Sequence, residues 1–152
     1  MIDIRRDALT GEPVRTLLAY HLRQMHLHSP PGSVFALDLS GLLAPEVRVW
    51  TAWRGQQIAG VGALKDLGEG GGELKSMRTH PDCLRQGVAS ALLEHIIEQA
   101  RAAGLSRLSL ETGSGPAFEP ALALYRKRGF RVGAAFADYQ PSAFNQFLHL
   151  EL

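Results

Sequence analysis

Apolar residues recur every three or four positions over some stretches of this chain and every second position over others, a mixture that predicts helices interleaved with strands. From Glu12 to about His28, Val14, Leu17, Leu18, Leu22 and Met25 share one helical face, and Pro13 suits the first turn. A second helix follows Gly87, with Val88, Ala91, Leu92, His95, Ile96, Gln99, Ala100 and Ala103 on one face and Gly104 as its stop. Pro120 to Arg128 reads as a third, with a cationic last turn and Gly129 beyond it. Alternation of period two marks strands at Ile2–Arg5, Val47–Trp53, Ile58–Leu67, Glu73–Thr79 and Leu105–Thr112, with a return strand after Phe130 and a closing one over Asn145–Leu152. The first reads as an edge or near-edge strand.

The punctuation between these elements is equally legible. Arg54-Gly55-Gln56-Gln57 predicts a hairpin, and Gly68–Gly72 a flexible one, since that glycine run lacks phosphate-loop spacing and precedes a strand. Gly60 and Gly62 are odd inside a strand and predict close approach of another backbone. Ser29–Ser33 breaks the first helix, and Phe35–Leu43 then predicts a second short helix whose leucines belong mainly to the core. The strand-helix-strand order across residues 73–112 predicts a parallel pair within a sheet otherwise joined by hairpins. The fold class is therefore α/β: one domain over residues 1–152, with a central mixed, mostly antiparallel sheet flanked by helices.

Composition narrows the function. The chain has 152 residues, 45% hydrophobic and 20% charged, enough for one proper core. A formal net charge of +1 gives no overall attraction to nucleic acid or an acidic membrane, so any anion site must be local. Cys83 is the lone cysteine and cannot form an intrachain disulfide, and no apolar run is long enough to span a bilayer. A cytoplasmic setting with no membrane partner is expected. His21, His26 and His28 lack the carboxylate or cysteine spacing of a metal site and read as solvated, so no metal is expected. Oligomeric state stays open, a homodimer included.

The chemistry concentrates at Leu84-Arg85-Gln86-Gly87-Val88-Ala89-Ser90, a polar approach and a glycine opening a helix with small residues. Unpaired amides and the helix dipole make such a start a seat for phosphate. The loop resembles the cofactor motif Q/R-x-x-G-x-G/A of the GNAT superfamily of acyl-CoA-dependent N-acyltransferases. Gly87 and Ala89 fall on its small positions, while Leu84 replaces the usual Gln or Arg. About forty residues later, Ala121, Leu124, Tyr125, Lys127, Gly129 and Phe130 match a second motif of that superfamily, A-x-x-L-Y-x-K-x-G-F, although Phe118 stands where it often has Asn. The resemblance implies acetyl-CoA as cosubstrate, held by Arg85, Gln86, Gly87, Val88, Ala89 and Ser90, with a bulged strand presenting backbone N–H groups at Met77 and Thr79. It also implies that the 29–43 segment shapes the acceptor pocket.

The expected activity is direct transfer of an acetyl group to an amine, most simply that of a small molecule. Only about one alkylamine in a thousand is unprotonated at neutral pH, so a nearby carboxylate helps, and Glu73 is the candidate base with Glu111 as rival. Tyr125 is positioned by the motif to donate to the departing CoA sulfur. Cys83 belongs to no nucleophile-base pattern, which disfavours an acyl-enzyme. The alternative class is a non-catalytic acyl-CoA-binding or sensing domain, distinguished by the absence of amine-dependent CoA release.

Overall fold

The computed structural model describes residues 1–152. The strands are β1 (Asp3–Arg6), β2 (Val47–Arg54), β3 (Gln57–Gly68), β4 (Gly71–Thr79), β5 (Arg107–Thr112), β6 (Arg131–Val132) and β7 (Gln146–Glu151). They form one sheet in the order β1-β2-β3-β4-β5-β7-β6, antiparallel everywhere except between β4 and β5. The helices are α1 (Glu12–His28), α2 (Leu39–Leu42), α3 (Val88–Ala102) and α4 (Glu119–Arg128). The mixed sheet, its edge strand β1 and the parallel pair all match the sequence pattern.

Side chains alternate across a strand, so the sheet carries two apolar faces and needs a cover on each. On one, Val14, Leu17 and Leu18 of α1 pack with Val49, Ile58, Val61 and Ala63. On the other, α3 lays down Val88, Leu92, Leu93, Ile96 and Ile97 against Trp50, Leu64, Leu74 and Leu108. Each leucine or isoleucine buried in this way contributes about 1.5–3 kcal/mol.

Two expectations need correction. The helix predicted over Phe35–Leu43 shrinks to the four residues of α2, because Asp38 Oδ1 accepts from the Gly41 amide at 2.9 Å and fixes the helix start there. Of its leucines, Leu42 is buried, Leu37 and Leu39 pack half-buried beside it, and Leu43 is 56% exposed. Gly60 and Gly62 admit mainly side chains of the covering helix rather than a second backbone. A Cβ on Gly60 would lie 2.7 Å from Val88 Cγ1 and 2.9 Å from Leu92 Cδ1, and one on Gly62 would meet Met77 Sδ at 2.6 Å.

The segment 133–145, between β6 and β7, is tied down at both ends. His149 Nε2 lies 2.8 Å from Ala134 O and its Nδ1 2.7 Å from Ser109 Oγ, so the imidazole donates to the carbonyl and accepts from the hydroxyl. At the other end Asn145 accepts from Ser142 through its Oδ1 and donates to Gln140 O. With both ring nitrogens engaged and no carboxylate beside it, the buried Ser109–His149 pair is a clamp rather than a nucleophile.

The close seating of α3 gives a test. Gly60→Ala is expected to cost about 1–3 kcal/mol in urea denaturation, because Val88 is β-branched and Arg78 O stands 3.2 Å from the new methyl on the strand side. Gly62→Ala should cost less, since the atoms it would meet, Met77 Sδ and Ile96 Cδ1 at 2.9 Å, are the far ends of flexible side chains and no backbone atom stands as close.

Candidate active site

Parallel pairing of β4 with β5 lasts only from Gly71 to Glu73, opposite Arg107 to Ser109. Beyond that point the two strands part. Across β4, the register with β3 slips between Val61 and Ala63, so Gly62 alone faces Ser76 and Met77. Ser76 is the extra residue of this bulge and has φ +56°, a conformation side chains rarely adopt. The bulge bends β4 just beyond where it leaves β5; of the two positions expected from the resemblance, Met77 lies in it, whereas Thr79 is back in register opposite Gly60.

The gap holds a cavity of about 400 Å³, walled by β4 from Glu73 to Arg78, by Leu110–Thr112 of β5, and by parts of α1 and α4. Phe35, from the segment before α2, also reaches it. Of the residues singled out from sequence, Glu73, Met77, Glu111 and Tyr125 all face this space. Thr79 and Arg85–Ser90 do not line it; they lie towards and around the start of α3. Cys83 is buried in the core and away from the cavity.

Glu73 is not at a strand end, as its sequence position suggests, but 3% exposed within β4. Its Oε2 pairs with Lys75 Nζ at 3.0 Å and accepts a hydrogen bond from the Tyr139 hydroxyl. Lys75 in turn donates to Tyr139 Oη at 2.9 Å and to Phe35 O at 3.4 Å. The Glu73 carboxyl is therefore already partnered. Glu111 takes part in no ion pair and no side-chain hydrogen bond. Burial pushes its carboxyl up to about 7, partly offset by Lys75 and reinforced by Glu73.

Tyr125, on α4, is 7% exposed, stacks obliquely on Phe130 at 5.6 Å and makes no hydrogen bond to protein. Burial pushes its hydroxyl up to about 12, so it remains a donor throughout the physiological range. Phe118, in the place of the usual Asn, packs edge-on against Phe144 at 5.5 Å and presents only carbon to the cavity.

At the start of α3 the first helical acceptor, Gly87 O, is taken by Ala91 N, leaving the amides before it with no acceptor inside the helix. Gly87 has φ +83° and open space where a Cβ would stand, so glycine is needed here for backbone conformation. Arg85 shares a positive φ of 57°, and the Gln86 side chain is held by Arg54. The preceding loop is thus folded back to leave the helix start open, an arrangement that fits a pyrophosphate.

Four residues of the site escaped the sequence reading. Lys75 lies two positions from Glu73 on the same strand face, a spacing that could have signalled the pair. Tyr139 sits in a stretch without periodicity and gave no signal. His21 is buried rather than solvated, unlike His26 and His28, and its Nδ1 accepts from Arg78 Nε at 3.0 Å. Burial, and then the Arg78 charge, lower its pKa to about 3. Arg78 also lies over the Tyr20 ring, 5.9 Å from its centre. No group of three or more His, Cys, Asp or Glu residues is placed to hold a metal ion, and no helix is long and apolar enough to cross a membrane.

Comparison with known proteins agrees with this geometry. The profile of the Acetyltransferase (GNAT) family matches residues 12–130. The chain is 49% identical over 151 residues to the uncharacterized N-acetyltransferase YsnE of Bacillus subtilis, covering 99% of this chain and 100% of that one. It is 40% identical to the IAA acetyltransferase of Azospirillum brasilense over 99% of this chain and 98% of that protein. A crystal structure assigned as an acyl-CoA N-acyltransferase, from Klebsiella pneumoniae, superposes with a TM-score of 0.85 at 29% identity, covering 100% of this chain and 98% of that one. With acetyl-CoA as cosubstrate and an amine as acceptor, this chain belongs to the GNAT family as an N-acetyltransferase.

Proposed function

We propose that the chain transfers acetyl directly from acetyl-CoA to a small-molecule amine, and that Glu111, rather than Glu73, takes the amine's proton. The observation that carries the second part is the unequal state of two carboxylates in one cavity: Glu73 is committed to Lys75 and Tyr139, whereas Glu111 is free and poised near neutrality. A carboxyl at about 7 narrows the proton-transfer gap from an alkylammonium from about six powers of ten to about three. A cavity of about 400 Å³, with the Phe35 and Tyr139 rings in edge contact at 5.3 Å beside it, suits a small acceptor. The relative named IAA acetyltransferase supports a small acceptor in the same sense. A cytoplasmic setting accords with the unpaired, buried Cys83.

Acetyl-CoA, when bound, supplies the activated acyl carbonyl. The open start of α3, Gly87 to Ser90, binds its pyrophosphate through backbone amides, and Arg85 and Gln86 border that seat. The bulge at Ser76–Met77 frees a backbone N–H from the ladder to donate to the carbonyl oxygen, with Thr79 extending the same strand along the cofactor. Tyr125 donates a hydrogen bond to the sulfur as charge gathers there. Outright proton transfer from a hydroxyl at about 12 to a thiolate near ~8.5 would be uphill by roughly 5 kcal/mol, so the tyrosine stabilises rather than protonates.

The deciding experiment is amine-dependent CoA release as a function of pH, with an acceptor whose amine titrates well above ~9. Glu111 works as the carboxylate, so wild-type turnover should rise through about pH 7. Glu111→Gln should lose that limb and about 10²–10⁴-fold in rate, recovering at high pH where the amine loses its proton unaided. Glu73→Gln should keep the limb while destabilising the fold by about 3–5 kcal/mol, because Lys75 is left buried without its partner. A limb that survives Glu111→Gln and vanishes in Glu73→Gln would reverse the assignment.

Stability gives an independent check on Glu111. Its folded pKa is raised, so its favourable contribution is present below the unfolded carboxyl pKa and is lost as pH rises through about 7. Glu111→Gln should therefore gain thermal stability relative to wild type at pH 8 and show no such gain near pH 4. For Tyr125→Phe, acetyl-CoA affinity should be retained while single-turnover transfer slows about 30- to 1000-fold, the loss of one donor worth ~2–4 kcal/mol to the transition state. Equal rates would make Tyr125 a packing residue.

A further inference from the structure

Within the same cavity, Arg78 is an arginine without an acid. It is half-buried, it forms no ion pair, and its Nε–H donates to a neutral imidazole rather than to a carboxylate. Desolvation lowers its pKa from the usual range, the mark of a cation held where water does not fully solvate it. His21 adds to this donor set. Its Nδ1 accepts from a group that can only donate, so the ring proton resides on Nε2, which has no protein partner. The cavity is therefore polarised, with unopposed donors at its α1 side and the free carboxyl of Glu111 on β5.

We propose that the acceptor is an amine that also carries a carboxylate, with Arg78 and His21 binding the carboxylate while the amine meets Glu111. This rests on the cavity being the acceptor site of the proposed reaction. Arg78 reaches back to Tyr20 and His21 of α1, on the sheet face opposite α3, whereas the pyrophosphate seat lies at the start of α3. Its charge thus serves the acceptor side. Carrying the β4–β5 register two residues past its last pair, Glu73 with Ser109, sets Glu111 near Lys75, whose charge acts on it, and Arg78 stands three residues further along β4, roughly 7–10 Å at the usual rise per residue. Two long side chains converging from that separation leave room for an amine and a carboxylate a few bonds apart. The other cations and acids facing the cavity do not compete: Lys75 and Glu73 neutralise each other at 3.0 Å.

The test uses the intact protein, acetyl-CoA and matched acceptor pairs: α-, β- and γ-amino acids and an aromatic amino acid, each against its carboxamide, corrected for the fraction of free amine. Wild type should prefer the acid in at least one pair by about 10- to 100-fold in kcat/KM, the scale of a charge-assisted hydrogen-bond pair. Arg78→Gln should bring that acid-to-amide ratio close to one, and Arg78→Lys should retain part of it, the affinity for acetyl-CoA being measured alongside. Amides equal to or better than acids in every wild-type pair would overturn the inference and leave the amine transferase standing. An Arg78→Gln variant that loses acid and amide turnover in equal proportion would also overturn it, placing the guanidinium with the thioester or the fold. Absence of CoA release with any pair would overturn both readings.

Discussion

The site exists because two neighbouring strands stop pairing. β4 and β5 share a parallel ladder for three residues and then diverge, and an extra residue at Ser76, forced into a positive φ, turns β4 away. Backbone groups released from a ladder must find other partners or face a cavity. Here they face a cavity, and the stretch of β4 that has lost its β5 partner carries Lys75, Met77 and Arg78 along its wall. The same bulge sets the glycine requirement on β3, since the Met77 side chain occupies the space above Gly62 that a methyl would need. α3 then covers that face, with Val88 and Leu92 against Gly60 and Ile96 against Gly62, so the seating of the helix and the divergence of the strands meet at one stretch of β3 and β4.

Electrostatics divides the labour inside the gap. Glu73, Lys75 and Tyr139 close on one another, which holds the walls together and occupies their polar atoms. Glu111 and Arg78 are the groups without such closure. A buried charge lacking a partner is unfavourable in the empty protein, and that unfavourable state is what a ligand of opposite character relieves.

How much of this could be read from sequence follows from which forces are local. Helix and strand periods, the hairpins and the cationic end of α4 are decided by neighbours within a few residues, and α1 emerged with the bounds its pattern implied. The glycine that opens α3 and the place of Tyr125 at the cavity were legible through their motifs. The partners of Glu73 were not, because they include Tyr139, 66 residues away, which comes to donate to that carboxylate. His21 looked solvated for the same reason: Arg78, 57 residues away, is what makes its burial tolerable. The helix predicted over Phe35–Leu43 failed on a local cause, the competition of the Asp38 cap with apolar spacing.

The two anchors of the 133–145 segment bear on kinetics. Tyr139 is delivered to Glu73 and Lys75 by a stretch pinned through His149 to Ala134 at one end and through Asn145 to Gln140 at the other. Gly133 lets the clamp close, for a Cβ there would stand 2.7 Å from His149 Cδ2. The ordering entropy of this wall is consequently settled when the chain folds, not anew with each ligand that enters. Phe35 meets the same ring edge-on at 5.3 Å from a segment with no strand or helix of its own before Leu39, so the fixed Tyr139 also backs the least regular part of the cavity wall.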